Sequence, residues 1–229
     1  MIRCLPAVLL SAFLSAQTQS PPPAPAAGPK VEVPTFANPT CPIMGKKVSM
    51  PLFVDTELGR FYLCCKPCNK KVLANVPAAH QTAYPVVQEL KNTTCPVSGE
   101  AVGELAVDVT LQGFRFKVCC EGCVAGARQH SQVTLTKVNR TGTEDVGNAT
   151  CPLAGTPVAA NAFALIGDAI VHLSDAKLAE QVAKDPAAVL AKARAIAKAQ
   201  PPRSRHEHQQ PKQGAPKTEP GKDAGKEGK

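Results

Sequence analysis

The chain has 229 residues and a formal net charge of +8, from 26 lysines and arginines against 18 acidic residues. It has no tryptophan and few other aromatics, and its basic residues are scattered. This argues against a base-stacking nucleic-acid surface. No apolar run approaches the roughly 20 residues of a membrane span, so no transmembrane segment is expected.

In chain order, residues 1–16 read as a secretory signal. Arg3 supplies the positive start, Leu5 to Leu14 the short apolar run, and Leu14-Ser-Ala16 the cleavage site. Cys4 precedes the apolar run and would leave with the signal. The expected localisation is therefore exported, periplasmic or extracellular. Residues 17–34 are rich in proline and alanine and read as a linker.

Eight of the ten cysteines then fall into two matching sets: Cys41, Cys64, Cys65, Cys68 and Cys95, Cys119, Cys120, Cys123. Each set opens on one phrase, Asn38-Pro-Thr-Cys-Pro-Ile-Met-Gly45 and Asn92-Thr-Thr-Cys-Pro-Val-Ser-Gly99. Each closes on an apolar strand running into Cys-Cys-x-x-Cys. The opening cysteines are 54 residues apart, and 56 residues further on Asn148-Ala-Thr-Cys-Pro-Leu-Ala-Gly155 repeats the phrase. Leu173, Ser174 and Lys177 read as the replacements for the clustered cysteines of the third copy.

The same local elements are expected in each copy. Cys-Pro-x-x-Gly is a tight turn, with proline fixing φ and glycine accepting an unusual backbone angle. A hairpin follows, near Leu52–Asp55 and Arg60–Leu63 in the first copy, and near Leu105–Thr110 and Phe114–Val118 in the second. The closing cysteines open helices over Pro67–Asn75 and Gly122–Gln129, whose N-termini favour thiolates. In the third copy Ser174 or Asp175 caps a helix to Lys184, and Asp185-Pro186 starts another to about Ala199. Leu178, Val182, Val189, Leu190 and Ile196 are its candidate buried stripe.

The fold class is thus α+β, three tandem small metal-binding modules followed by a disordered tail. Residues 35–90 are metal-binding repeat 1, residues 91–147 repeat 2, and residues 148–199 a degenerate repeat 3. Residues 200–229 lack large apolar side chains and read as a disordered basic tail. Units of this size close marginal cores and commonly need a metal, disulfides or a neighbour.

Cys-Pro-Val-x-Gly, a hairpin and a cysteine pair four apart at a helix start resemble the heavy-metal-binding YHS and TRASH domains. The likeness spans about Phe36 to Ala199 and is fragmentary in the third copy. It implies soft-metal binding, and its closing pair matches Cys64 with Cys68 and Cys119 with Cys123. The family's opening turn often carries a second cysteine, where this chain has Met44, Ser98 and Ala154. Cys65 and Cys120 either replace that ligand, restoring four sulfurs, or are spare thiols beside a three-thiolate site.

Four thiolates suit Zn(II), one ion in each of repeats 1 and 2, with Cu(I) or another soft metal possible. Disulfide staples are the alternative that an oxidising compartment offers. A thiol–disulfide exchange protein is the enzyme-class alternative, since Cys-x-x-Cys at a helix start suits it. No catalytic residue set, nucleotide loop or paired-carboxylate arrangement appears. His172 with Cys151 and Asp175 is a candidate degenerate site, the alternative being a strand histidine and a helix cap; His80 and His130 read as solvated, and His206 and His208 lie in the tail, where a weak metal contact is conceivable. Sequons stand at Asn92, Asn139 and Asn148; two of them, Asn92 and Asn148, belong to the repeated phrase, which favours turn chemistry over glycosylation. Metal ions are the expected partners, with no nucleic acid.

Overall fold

The computed structural model describes residues 29–201. The signal reading, most of the linker and all but the start of the tail lie outside them. The described residues form an α+β fold built around three hairpins.

The first hairpin joins β2 (Ser49–Thr56) to β3 (Gly59–Leu63). Its register shifts between Ser49 and Phe53, around Pro51, which has no N–H to give a ladder. The second joins β5 (Val107–Leu111) to β6 (Phe114–Val118). Gln112 and Gly113 turn it with φ of 50° and 82°, the paired positive angles of a tight hairpin. The third joins β8 (Phe163–Ile166) to β9 (Ala169–His172).

A helix pair follows each hairpin. These are α1 (Pro67–Ala74) with α2 (Val76–Ala83), then α3 (Gly122–Gln129) with α4 (Ser131–Asn139). After β9, a 3₁₀ turn (Ala176–Leu178) leads into α5 (Ala179–Val182) and then α6 (Pro186–Ala199). The single helix expected up to Lys184 is therefore a 3₁₀ turn and one short helix. Asp185 caps α6 by accepting from Ala188 N–H at 3.1 Å. Val182, Val189 and Ala193 are buried, Leu178 and Leu190 pack against them, and Ile196 is only half-buried.

Three short strands were not legible in the sequence. β1 (Val31–Glu32), in the stretch read as linker, pairs antiparallel with β8. β4 (Gln88–Glu89) runs parallel to β6, and β7 (Glu144–Asp145) runs parallel to β9. Each hairpin after the first therefore takes an edge strand from the segment before its opening phrase. Residues 88–89 and 144–145 pack with the following hairpin, although they fall within intervals 35–90 and 91–147.

Three cores result, containing Cys41, Cys95 and Cys151 respectively among aliphatic and aromatic neighbours. Helix α4 links the three hairpins. Its residues Ser131 to Thr136 are all buried, so it has no solvent face there. It packs on β3, contributes Leu135 to the second core, and sets Val133 against Phe163, Leu165 and Ile170 of the third hairpin.

Candidate metal centres

Each opening turn is built alike. Cys41 N–H donates to Lys46 O at 2.8 Å, and Gly45 N–H returns to Cys41 O at 2.8 Å. The same pairs recur as Cys95 to Glu100 and Gly99 to Cys95, at 2.7 and 2.9 Å. They recur again as Cys151 to Thr156 and Gly155 to Cys151, at 2.8 and 2.9 Å. Gly45, Gly99 and Gly155 hold φ of 63°, 76° and 71°, the left-handed angle a Cβ resists.

These turns aim N–H groups at sulfur. Burial pushes the Cys41 thiol up, but N–H groups of Cys64, Ile43 and Met44 outweigh it and bring it down to about 7. Burial likewise opposes the N–H groups of Ser98, Cys119 and Val97 and the Ser98 hydroxyl, which bring Cys95 to about 7. In the third copy burial is outweighed by N–H groups of Ala154, Ser174 and Leu153 and by the Ser174 hydroxyl, lowering Cys151.

The hairpin and helix start deliver the other sulfurs. The Sγ atoms of Cys41, Cys64 and Cys68 lie within 4.8 Å of one another, as do those of Cys95, Cys119 and Cys123. Cys65 stands outside that mutual distance, yet its sulfur is 3.4 Å from Cys68 and 3.8 Å from Cys64. Cys120 is 3.8 Å from Cys119 and 4.0 Å from Cys123. Cys64 meets Cys68 at 3.9 Å, and Cys119 meets Cys123 at 3.6 Å. A tetrahedron of sulfurs about 2.3 Å from a zinc ion has an edge of about 3.8 Å. The residues present therefore fit a soft cation, and two cysteine groups able to hold a metal ion stand at the starts of α1 and α3.

The sulfurs are not electrostatically equal. Burial and the sulfurs of Cys65 and Cys41 push the Cys68 thiol well up; burial with Cys119 and Cys95 does the same to Cys123. Cys65 is lowered by the sulfurs of Cys68 and Cys64, and Cys120 by Cys123 N–H and the sulfur of Cys119. Neither α1 nor α3 has a side-chain cap, and the N–H of Cys68 or Cys123 meets the sulfur at Cys65 or Cys120 instead.

Asparagine fixes the register of each site, which the sequence reading did not assign. Asn38 Oδ1 accepts from Tyr62 N–H at 2.8 Å while its Nδ2 donates to Tyr62 O at 3.0 Å and Thr40 O at 2.7 Å. Asn92 does the same to Lys117 at 2.9 and 2.7 Å, and Asn148 to His172 at 3.1 and 2.8 Å. The residues two beyond these clamps are Cys64, Cys119 and Ser174. The third-copy counterparts of Cys64, Cys65 and Cys68 are thus Ser174, Asp175 and Leu178, one place beyond the register read from sequence. Asp175 there caps the 3₁₀ turn through Lys177 N–H at 2.9 Å.

His172 turns away from Cys151 and Asp175, and its Nε2 lies 2.8 Å from Asp145 Oδ1. His80 is not solvated but half-buried against Phe61 and Tyr84. His130 Nδ1 lies 2.9 Å from Ala160 O. His206 and His208 lie outside the described residues. Two oxygen-bearing residues beside the second group were missed. Ser98 Oγ is 3.3 Å from Cys119 Sγ, and the Cys119 thiol donates to Glu100 Oε2 at 3.8 Å. Their place in the repeated phrase, directly around its glycine, was the available signal.

No family model, curated protein or solved structure matches the chain. Among the described residues no helix is long and apolar enough to cross a membrane.

Proposed function

We propose that the chain is an exported soft-metal-binding protein made of three copies of one module. The first two copies each hold one ion, Zn(II) by default, through Cys41, Cys64, Cys65, Cys68 and Cys95, Cys119, Cys120, Cys123. The third keeps Cys151 but has Ser174, Asp175 and Leu178 in place of the clustered sulfurs, and it supports the other two. The activity is capture or buffering of heavy metal, and the resemblance to YHS and TRASH domains points the same way.

One observation carries this reading. In each set the opening cysteine and the cysteine pair four apart hold their sulfurs within 4.8 Å of one another, and the sulfur of Cys65 or Cys120 lies 3.4–4.0 Å from that pair, near the edge length of a tetrahedral sulfur site. Cys65 and Cys120 supply the fourth sulfur. A bound ion, when present, would neutralise part of the thiolate charge and tie turn, hairpin and helix together.

Native mass spectrometry with a thiol count on the purified chain tests it. Two ions per chain and free thiols after chelation are expected. Metal-free protein with one disulfide in each set would overturn the reading and support thiol–disulfide exchange, for which Cys65 and Cys68 at 3.4 Å are close enough.

A further inference from the structure

The two cysteine groups share a backbone but not a charge. The residue five after the opening cysteine is Lys46 in the first turn and Glu100 in the second. Both occupy one structural place, because each carbonyl takes the opening cysteine's N–H, at 2.8 and 2.7 Å. Glu100 reaches one sulfur, the Cys119 thiol donating to its Oε2 at 3.8 Å, and its N–H donates to Ser98 Oγ at 3.2 Å. For one sulfur and one oxygen bound to the same zinc ion, the expected separation is about 3.6 Å. The carboxylate therefore stands at about that distance from Cys119, beside the group that Cys95, Cys119 and Cys123 form. At the first group the position of Ser98 is held by Met44, and the position of Glu100 by an ammonium, which has no lone pair to offer an ion.

Charge and softness act in the same direction. Four thiolates around a divalent ion carry net charge −2, and around a monovalent ion −3. A carboxylate beside a sulfur penalises the more negative arrangement, a penalty absent at the first group, where Lys46 takes that place. Oxygen donors also suit zinc far better than Cu(I), which prefers sulfur alone.

We propose that the two centres discriminate between ions, with Glu100 committing the second to a divalent borderline ion such as Zn(II). Lys46 leaves the first to a softer monovalent ion such as Cu(I). The inference rests on the reading of both sets as metal sites. Under it the protein carries two different ions side by side.

The test uses the full chain, reduced and metal-free under anaerobic conditions. It is given one equivalent each of Zn(II) and Cu(I), and the unshielded cysteines are then alkylated and mapped. Zn(II) is expected to shield Cys95, Cys119 and Cys123, and Cu(I) to shield Cys41, Cys64 and Cys68, as single-ion titrations of the same protein assign them. Glu100 is exposed, so E100Q and E100K leave the fold intact. Each should move Zn(II) away from the second set by at least about tenfold, the larger shift with lysine. K46E should draw Zn(II) toward the first set. Even distribution of both ions in the unaltered protein, or an unchanged pattern in E100K, would overturn the inference while leaving metal binding in place. Absence of shielding at both sets would instead remove the metal reading and the inference with it.

Discussion

Asn38 grips Tyr62 from both sides of its peptide, taking the N–H at 2.8 Å and giving to the carbonyl at 3.0 Å. Through this clamp the opening turn is locked to the strand that delivers Cys64. The amide is 1% exposed, and its counterpart Asn148 is 0% exposed, so water cannot replace either. Asn38→Ala and Asn148→Ala should each cost about 2–4 kcal/mol, because a buried N–H and a buried carbonyl lose their partners together. Thermal unfolding of the metal-free protein measures it, and a loss under about 0.5 kcal/mol would discount the clamp.

Removing metal should loosen the first two hairpins before the third. Val182, Val189 and Ala193 seat the third core, whose one cysteine is Cys151, whereas the first two cores include the helix-start cysteines Cys68 and Cys123 as well as Cys41 and Cys95. Hydrogen exchange with and without chelator should show lost protection at Phe61–Cys68 and Phe116–Cys123. Phe163–His172 should stay protected.

Cys41→Ser should abolish loading of the first set, and Cys95→Ser that of the second. Cys65→Ser and Cys120→Ser should leave one ion per set but weaken its retention at least about tenfold. Competition against a chelator reads this directly. Unchanged retention in Cys65→Ser would make that residue a spare thiol.

Metal affinity should rise with pH. The Cys41 and Cys95 thiols titrate at about 7, while burial and neighbouring sulfurs hold protons on Cys68 and Cys123 until an ion displaces them. Loading therefore releases protons, and apparent affinity should tighten at least about tenfold per pH unit between pH 6 and 8. A flat profile would mean that these thiols are not the ligands.

Asp145 gives a second pH dependence, opposite in origin. Burial would raise its carboxyl, but His172 and Lys137, at 2.8 and 3.2 Å, hold it well below the usual range. A depressed acid stabilises the fold above its unfolded value, about 4, and loses that contribution as pH falls toward the folded value. Asp145→Asn should remove about 1–3 kcal/mol at neutral pH and flatten the acid limb of the stability curve.

The repeated phrase and the Cys-Cys-x-x-Cys runs were legible because each is local chemistry: a turn needing Gly45 or Gly99, and an apolar strand entering a helix. The starts of α1 and α3 followed from the same cues. What could not be read depends on neighbours far along the chain. Helix α4 opens Ser131-Gln-Val-Thr-Leu-Thr136, which has no apolar stripe of its own, and packing against all three hairpins buries it. β4 and β7 are two residues each, too short for any periodicity. The third-copy register slipped by one because its reading relied on strand spacing, whereas the Asn148–His172 clamp sets it. Glu100 escaped notice because its meaning lies in a contact with Cys119, 19 residues away.

The burial of α4 from Ser131 to Thr136 changes what a fragment of this chain would be. A string of independent beads can lose one at either end and keep the rest. Here the middle segment contributes a polar-rich helix that its own hairpin cannot dry. Cutting the chain before Phe163 would wet Val133, and removing the first hairpin would uncover the α4 surface that β3 covers. Whatever ion load the protein carries, it therefore carries as one indivisible body.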